Sequence, residues 1–204
     1  LALPFAGSAV AMLLPTHARN TAAAFAAVIA AVALGGVAMM FPAVRDGGVV
    51  RDAYGWMSAA GLDFVVRVDG FAWMFAVLIT GIGLLVAIYA RYYMAAADPV
   101  PRFYAFLLAF MGAMLGVVFA GNLIELAFFW ELTSLSSYLL IGYWHHDRDA
   151  RRGARMSLVV TGAGGLALLV GVVLLGQAVG SYDLDQVLAA GERVRAHPHY
   201  PLIL

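Results

Sequence analysis

The sequence predicts an all-α fold: a polytopic bundle of transmembrane helices carrying a short extracellular hairpin. Three observations predict it. Of the 204 residues, 64% are hydrophobic and 12% are charged, with a mean hydropathy of +0.90; soluble domains carry about twice that share of charge. The charges are gathered in short patches between uncharged apolar runs. Most of these runs reach the roughly 20 residues that a helix needs to cross a hydrocarbon core. A span alone in lipid must be helical, because no other conformation satisfies its backbone polar groups.

The elements follow in order. The run 1–14 lacks the basic lead-in of a signal peptide, and it reads as the tail of a truncated first span. Complete spans are expected over 21–44, 71–90, 103–124, 126–144 and 156–182, all uncharged except for Glu131 in the fourth. A further apolar run, 200–204, reads as the start of another span. The chain begins at Leu1 and stops in that run, so it is expected to be part of a longer protein.

The loops are less apolar. The stretch 62–70 is rich in β-branched and aromatic residues that partly alternate, which suggests a hairpin in the loop 45–70. The segment 183–195 spaces Leu184, Val187, Leu188 and Val194 as a surface helix would. Gly112 and Gly116, and likewise Gly176 and Gly180, sit four apart, a spacing that lets helices approach closely in lipid. Gly162-Ala163-Gly164-Gly165 lies inside a span with no preceding strand, so it is not a phosphate loop.

Arginine placement orients the chain. Loops 15–20, 91–102 and 145–155 hold Arg19, Arg91, Arg102, Arg148, Arg151, Arg152 and Arg155. The opposite loops hold Arg45, Arg51, Arg67, Arg193 and Arg195, diluted by acidic residues. The N-terminus is therefore expected outside. Lysine is absent and all 12 basic residues are arginine, a usage that suggests a GC-rich genome.

Several function classes are excluded. Without cysteine there is no disulfide or thiolate metal site. A net charge of zero argues against a nucleic-acid partner. No hydrolytic triad, metal cluster or cofactor site is apparent, and His17, His197 and His199 are scattered in loops, which leaves a haem without support.

Glu131 stands out. It is expected about six residues into its span, and a charge at such depth costs about 2.5–3.5 kcal/mol on insertion scales. It persists if it faces a wet cavity, pairs with a cation or takes up a proton, and the last makes it a relay candidate. At helical spacing, Ser134 and Tyr138 share its face and His145 falls near it at the cytoplasmic end. A column of carboxyl, hydroxyls and imidazole, bridged by water, would carry protons. Interhelical hydrogen bonding by Ser134 and Tyr138, a solvated His145 and a structural salt bridge of Glu131 are the competing readings. Glu125, about 120° away around the helix, reads as interfacial.

The stretch Phe129-Trp130-Glu131-Leu132-Thr133-Ser134-Leu135-Ser136-Ser137-Tyr138-Leu139-Leu140-Ile141-Gly142 resembles the fifth-helix signature of the antiporter-like membrane subunits of multi-subunit sodium/proton (Mrp) antiporters and respiratory complex I. Val68-Asp69-Gly70-Phe71-Ala72-Trp73 and Ile88-Tyr89-Ala90-Arg91-Tyr92-Tyr93-Met94 resemble the start and end of that family's third helix. Phe110-Met111-Gly112-Ala113-Met114-Leu115-Gly116 resembles the fourth. The resemblance implies that Glu131 is the fifth-helix glutamate that pairs with a seventh-helix lysine to drive proton movement. No lysine is present here.

Complex I relatives carry lysine, arginine and aspartate where this chain has Met156, Gly162 and Gly165. The glycine-rich sixth helix and the histidine pair before Asp147 resemble the large A-type subunit of Mrp antiporters. The resemblance thus implies a proton-translocating subunit of a sodium/proton antiporter, not an enzyme, with no cofactor. It would be assembled with other membrane subunits in a bacterial plasma membrane, moving protons and sodium ions. A proton-pumping subunit of complex I or of a related membrane hydrogenase is the alternative, and a structural membrane scaffold is a third reading.

Overall fold

The computed structural model describes residues 1–16, 18–57, 62–95, 98–198 and 200–203. His17, His199 and Leu204, which fall in the loops and the last apolar run read above, lie outside the described residues. The elements run α1 (Ala2–Met12), α2 (Arg19–Met39), α3 (Phe41–Val44), β1 (Val50–Met57), β2 (Leu62–Val68), α4 (Gly70–Tyr93), α5 (Val100–Phe119), α6 (Leu123–Ile141), α7 (Arg148–Val179), α8 (Leu184–Ala189), α9 (Gly191–Arg195) and α10 (Tyr200–Ile203). Among the described residues, five helices are long and apolar enough to cross a membrane: Arg19–Val44, which joins α2 to α3, then α4, α5, α6 and α7. The chain is a helical, multi-pass membrane bundle.

Capping residues set the helix ends and explain the shifts from the expected bounds. Asn122 accepts from Ile124 N at 2.9 Å and starts α6 at 123, three residues before the expected 126. Asp147 accepts from Asp149 N at 2.9 Å and draws the arginine-rich stretch into α7, which runs for 32 residues from 148 and not from 156. Carboxylates at a helix start oppose the positive end of its dipole, which offsets the arginines there. At the other end of α7, Gly180 has φ +83°, the left-handed cap that glycine adopts without strain. The surface helix expected over 183–195 is broken into α8 and α9 at Ala190.

The hairpin forms as an antiparallel pair, with Val50 opposite Val68 and Tyr54 opposite Phe64, and an irregularity between Tyr54 and Met57. It is tied to the α5–α6 junction, and that junction is tied in turn to the segment after α7. Gly121 N donates to Val65 O at 2.7 Å, Leu123 N to Tyr182 O at 2.9 Å and Leu184 N to Gly121 O at 2.9 Å. A Cβ on Gly121 would come within 2.6 Å of Val65 Cγ1, so the strand approaches here because residue 121 has no side chain.

Alanine-rich faces make the core. Ala22, Ala23, Ala26 and Ala30 of α2 are buried in one cluster with Ala87 and Ala90 of α4 and Tyr104 and Leu108 of α5. Small side chains allow the close approach that drives helix association in lipid. Tyr104 satisfies its hydroxyl by donating to Ala87 O at 3.0 Å, and Trp73 Nε1 donates to Val37 O at 2.8 Å.

Gly112 and Gly116 lie where α1 and α6 pack against α5, and each receives a ring from the facing helix. A Cβ on Gly112 would come within 3.0 Å of the Phe5 ring, and one on Gly116 would overlap the Phe129 ring. They are sockets for aromatic side chains from α1 and α6. Gly176 receives the ring of Tyr182 in the same way, beside the Gly180 cap.

Candidate functional site

The site is built on α6. Its start is anchored twice: by the Asn122 cap and by Leu123 N donating to Tyr182 O. Glu131 is the ninth residue of this 19-residue helix, so its Cα lies about 12 Å from the helix start, near the midpoint. The earlier start of the helix puts it deeper than the six residues that hydropathy alone suggests.

Glu131 faces α7. A Cβ built on Gly165 would overlap Glu131 Oε1 and come within 3.2 Å of Trp130 Cδ1. The carboxylate occupies the groove that the missing side chain leaves. It is exposed on the surface of this chain, so the elements present do not supply the burial expected from the sequence. Among the described residues no ion pair or hydrogen bond reaches its carboxylate.

The other residues of the expected column are not gathered around it. Ser134 is buried and donates to Trp130 O of its own helix at 3.3 Å. Thr133 and Ser136 likewise donate back, to Trp130 O at 2.7 Å and to Leu132 O at 2.7 Å. A hydroxyl that can reach the carbonyl one turn back has no need of an interhelical partner. Tyr138 and His145 do come together, in a cavity of about 390 Å³ at the arginine-rich end. Neither Glu131 nor Ser134 lines it. His145 is exposed, its ring 3.8 Å from that of His146 and its Nδ1 3.5 Å from Arg102 Nη2. Beside it, burial first and the Asp98 carboxylate second push the Tyr143 hydroxyl up to about 12.

Two features have no counterpart in the sequence pattern. Glu125 does more than mark the interface: its Oε2 accepts from Val65 N at 3.0 Å, which hooks α6 to the hairpin, while its Oε1 is buried without a partner. It borders an apolar cavity of about 400 Å³ with Phe64, Phe128 and Phe129. The second feature is an ion network at the same end. Arg67 reaches Asp69 at 2.6 Å and Asp185 at 2.7 Å, and Arg51 pairs with Asp183 and with Asp185 at 3.3 Å. Asp69 also caps α4, accepting from Ala72 N at 2.8 Å. That backbone bond, then Arg67, hold its carboxyl below the usual carboxylate range against its partial burial. Charges more than 100 residues apart carry no sequence signal of these contacts.

Two family models match the chain. Residues 56–104 match the N-terminal part of complex I (NADH-ubiquinone oxidoreductase) chain 5. Residues 120–200, which include Glu131, match the NADH:quinone oxidoreductase/Mrp antiporter transmembrane family. The chain belongs to this antiporter-like family. Among its relatives, a probable K(+)/H(+) antiporter subunit of the A/B type from Rhizobium meliloti (strain 1021) is 56% identical over 202 residues, 99% of this chain and 20% of that protein. An A-type Na(+)/H(+) antiporter subunit from Alkalihalophilus pseudofirmus is 46% identical over 143 residues, 70% of this chain and 18% of that protein. A chain of the Mrp complex from Dietzia sp. DQ12-45-1b superposes with a TM-score of 0.84 at 27% identity, over 99% of this chain and 22% of that one. This antiporter-like chain thus spans about a fifth of the length of these relatives. An archaeal membrane-bound sulfane sulfur reductase chain shares the fold, with a TM-score of 0.80 at 21% identity over 99% of this chain and 31% of that one.

Proposed function

We propose that this chain is part of a proton-translocating subunit of a multi-subunit cation/proton antiporter in a bacterial plasma membrane, with Glu131 as its proton-loading carboxylate. One observation carries the reading: a carboxylate at the middle of an apolar helix, set in a groove opened by Gly165, with no partner among the described residues. A carboxylate held at that depth costs several kcal/mol unless it is protonated, hydrated or paired. A proton or a cation delivered there relieves the cost, and releasing it restores the cost. The lysine that the family resemblance implies is absent from these 204 residues. Ser134 and Tyr138, three and seven residues on, and His145, four residues past the end of α6, continue the path towards the arginine-rich side, with water bridging the gap between Glu131 and the cavity. The cavity shared by Tyr138 and His145 supports that direction.

The antiporter is favoured over a complex I or hydrogenase subunit because the relatives quoted at 56% and 46% identity are antiporter subunits. The cation is open between potassium and sodium. The family resemblance read from the sequence implies sodium, whereas the 56% identical relative carries potassium in its name. The arginine placement sets the N-terminus of the chain outside, and neighbouring membrane subunits would cover the exposed apolar faces. The experiment is Glu131→Gln in the full-length protein within its complex, assayed for potassium/proton and sodium/proton exchange in everted vesicles. Loss of exchange with normal assembly is expected. Unchanged exchange would sink the proposal.

A further inference from the structure

The cavity at the arginine-rich end has a feature that proton transfer does not use. It is lined by three guanidiniums, those of Arg102, Arg151 and Arg155, together with the imidazole of His145, and no carboxylate is among its lining residues. Arginine stays charged in proteins. The donors are only partly committed. Arg102 Nη2 donates to Tyr143 O at 3.0 Å, Arg151 Nη1 to His145 O at 2.5 Å, and Arg155 Nε to Arg151 O at 3.4 Å. Arg102 Nε is buried with no hydrogen-bond partner. Of the acidic groups at this end, Asp98 accepts from Ala95 N at 3.0 Å and Trp144 Nε1 at 3.3 Å, Asp147 caps α7, and Asp149, in the first turn of α7, does not line the cavity. The lining of the cavity thus carries net positive charge, and one of its arginines, Arg102, has a buried donor without a partner.

We infer that this cavity binds the phosphodiester headgroup of an anionic phospholipid. The position selects lipid over a free anion. Arg102 and Arg151 lie in the first turns of α5 and α7, at the end of the bundle, and Arg155 one turn further along α7, whereas Phe106 sits one turn beyond Arg102 on α5 and Tyr138 about one turn inside the end of α6. A headgroup phosphate at the arginine rim leaves its acyl chains directed along that apolar wall, which a free phosphate would not use. Basic pockets between transmembrane helices at the arginine-rich face hold lipid headgroups on these grounds, and guanidinium forks match phosphate oxygens in pairs. This inference does not depend on Glu131 carrying protons.

The test uses the full-length protein in its complex, reconstituted in nanodiscs of phosphatidylcholine alone or with phosphatidylglycerol, and native mass spectrometry of the retained lipid. Retention of phosphatidylglycerol over phosphatidylcholine is expected. It should weaken by roughly five-fold for each arginine removed in R102Q and R102Q/R155Q, with substantial recovery in R102K/R155K. Equal retention in R102Q/R155Q and the unaltered complex overturns the inference, as does displacement of the lipid by millimolar inorganic phosphate, which would make the ligand a free anion. If the glutamine variant does not assemble, the unaltered complex is labelled with a phosphatidylglycerol carrying a diazirine near its headgroup. Adducts within 102–106, 138–142 or 151–155 support the site; adducts only elsewhere overturn it.

Discussion

The carboxylate of Glu131 on α6 stands in the space that a side chain on Gly165 of α7 would fill. The relationship is reciprocal. Glycine at 165 is what allows a charged side chain to lie in the seam between two apolar helices, and any side chain at that position would have to displace the carboxylate. Gly162, one turn earlier on α7, has nothing within 4 Å of an added Cβ.

Substituting alanine at these two glycines should therefore have opposite consequences. Gly162→Ala adds helix propensity, up to about 1 kcal/mol, and should leave cation/proton exchange intact. Gly165→Ala gains the same propensity yet must displace Glu131, so exchange should fall by an order of magnitude or more while the complex still assembles. Vesicle exchange assays on the two variants check this; equal activity would remove Gly165 from the site.

Glu125 predicts a local effect without a global one. Its Oε2 accepts the Val65 amide at 3.0 Å, and a net hydrogen bond is worth about 0.5–1.5 kcal/mol. Glu125→Ala should raise the hydrogen-exchange rate of the Val65 amide by roughly two- to ten-fold, with little change at amides in the middle of α5. A uniform change across the bundle would show that Glu125 supports the whole fold and not the hairpin contact.

Asp69 predicts a pH dependence. Its folded-state carboxyl titrates below the ordinary value of 3.8, held down by the Ala72 amide and then by Arg67. A depressed carboxyl stabilises the folded state above its unfolded-state value, and that contribution is lost as pH falls through the lower folded value. Stability from this cap and ion pair should be full at neutral pH and should decline below about pH 4. Asp69→Asn keeps a capping side chain but removes the charge, so it should flatten this acid limb. Thermal unfolding of the detergent-solubilised protein between pH 6 and 3 measures it.

The sequence by itself determined that the chain is a membrane bundle, which residues are apolar enough to span, and that Glu131 is the charge demanding explanation. Those properties are local: the length of an uncharged run and the cost of one carboxylate in hydrocarbon are legible along the chain. The hairpin was half legible, through its second strand. Helix ends depart from the hydropathy pattern where a single capping residue decides them, at Asn122 and Asp147, since hydropathy does not register a side chain accepting a backbone N–H. Only the tertiary structure decided which glycines receive rings, Gly112, Gly116 and Gly176, and which receives a carboxylate, Gly165. It alone joined Arg67 to Asp185, directed Ser134 to its own backbone, and separated Glu131 from the arginine-lined cavity of Tyr138 and His145. Helical periodicity places side chains on a face; what that face meets depends on the neighbouring helix, and that is set by packing across the bundle.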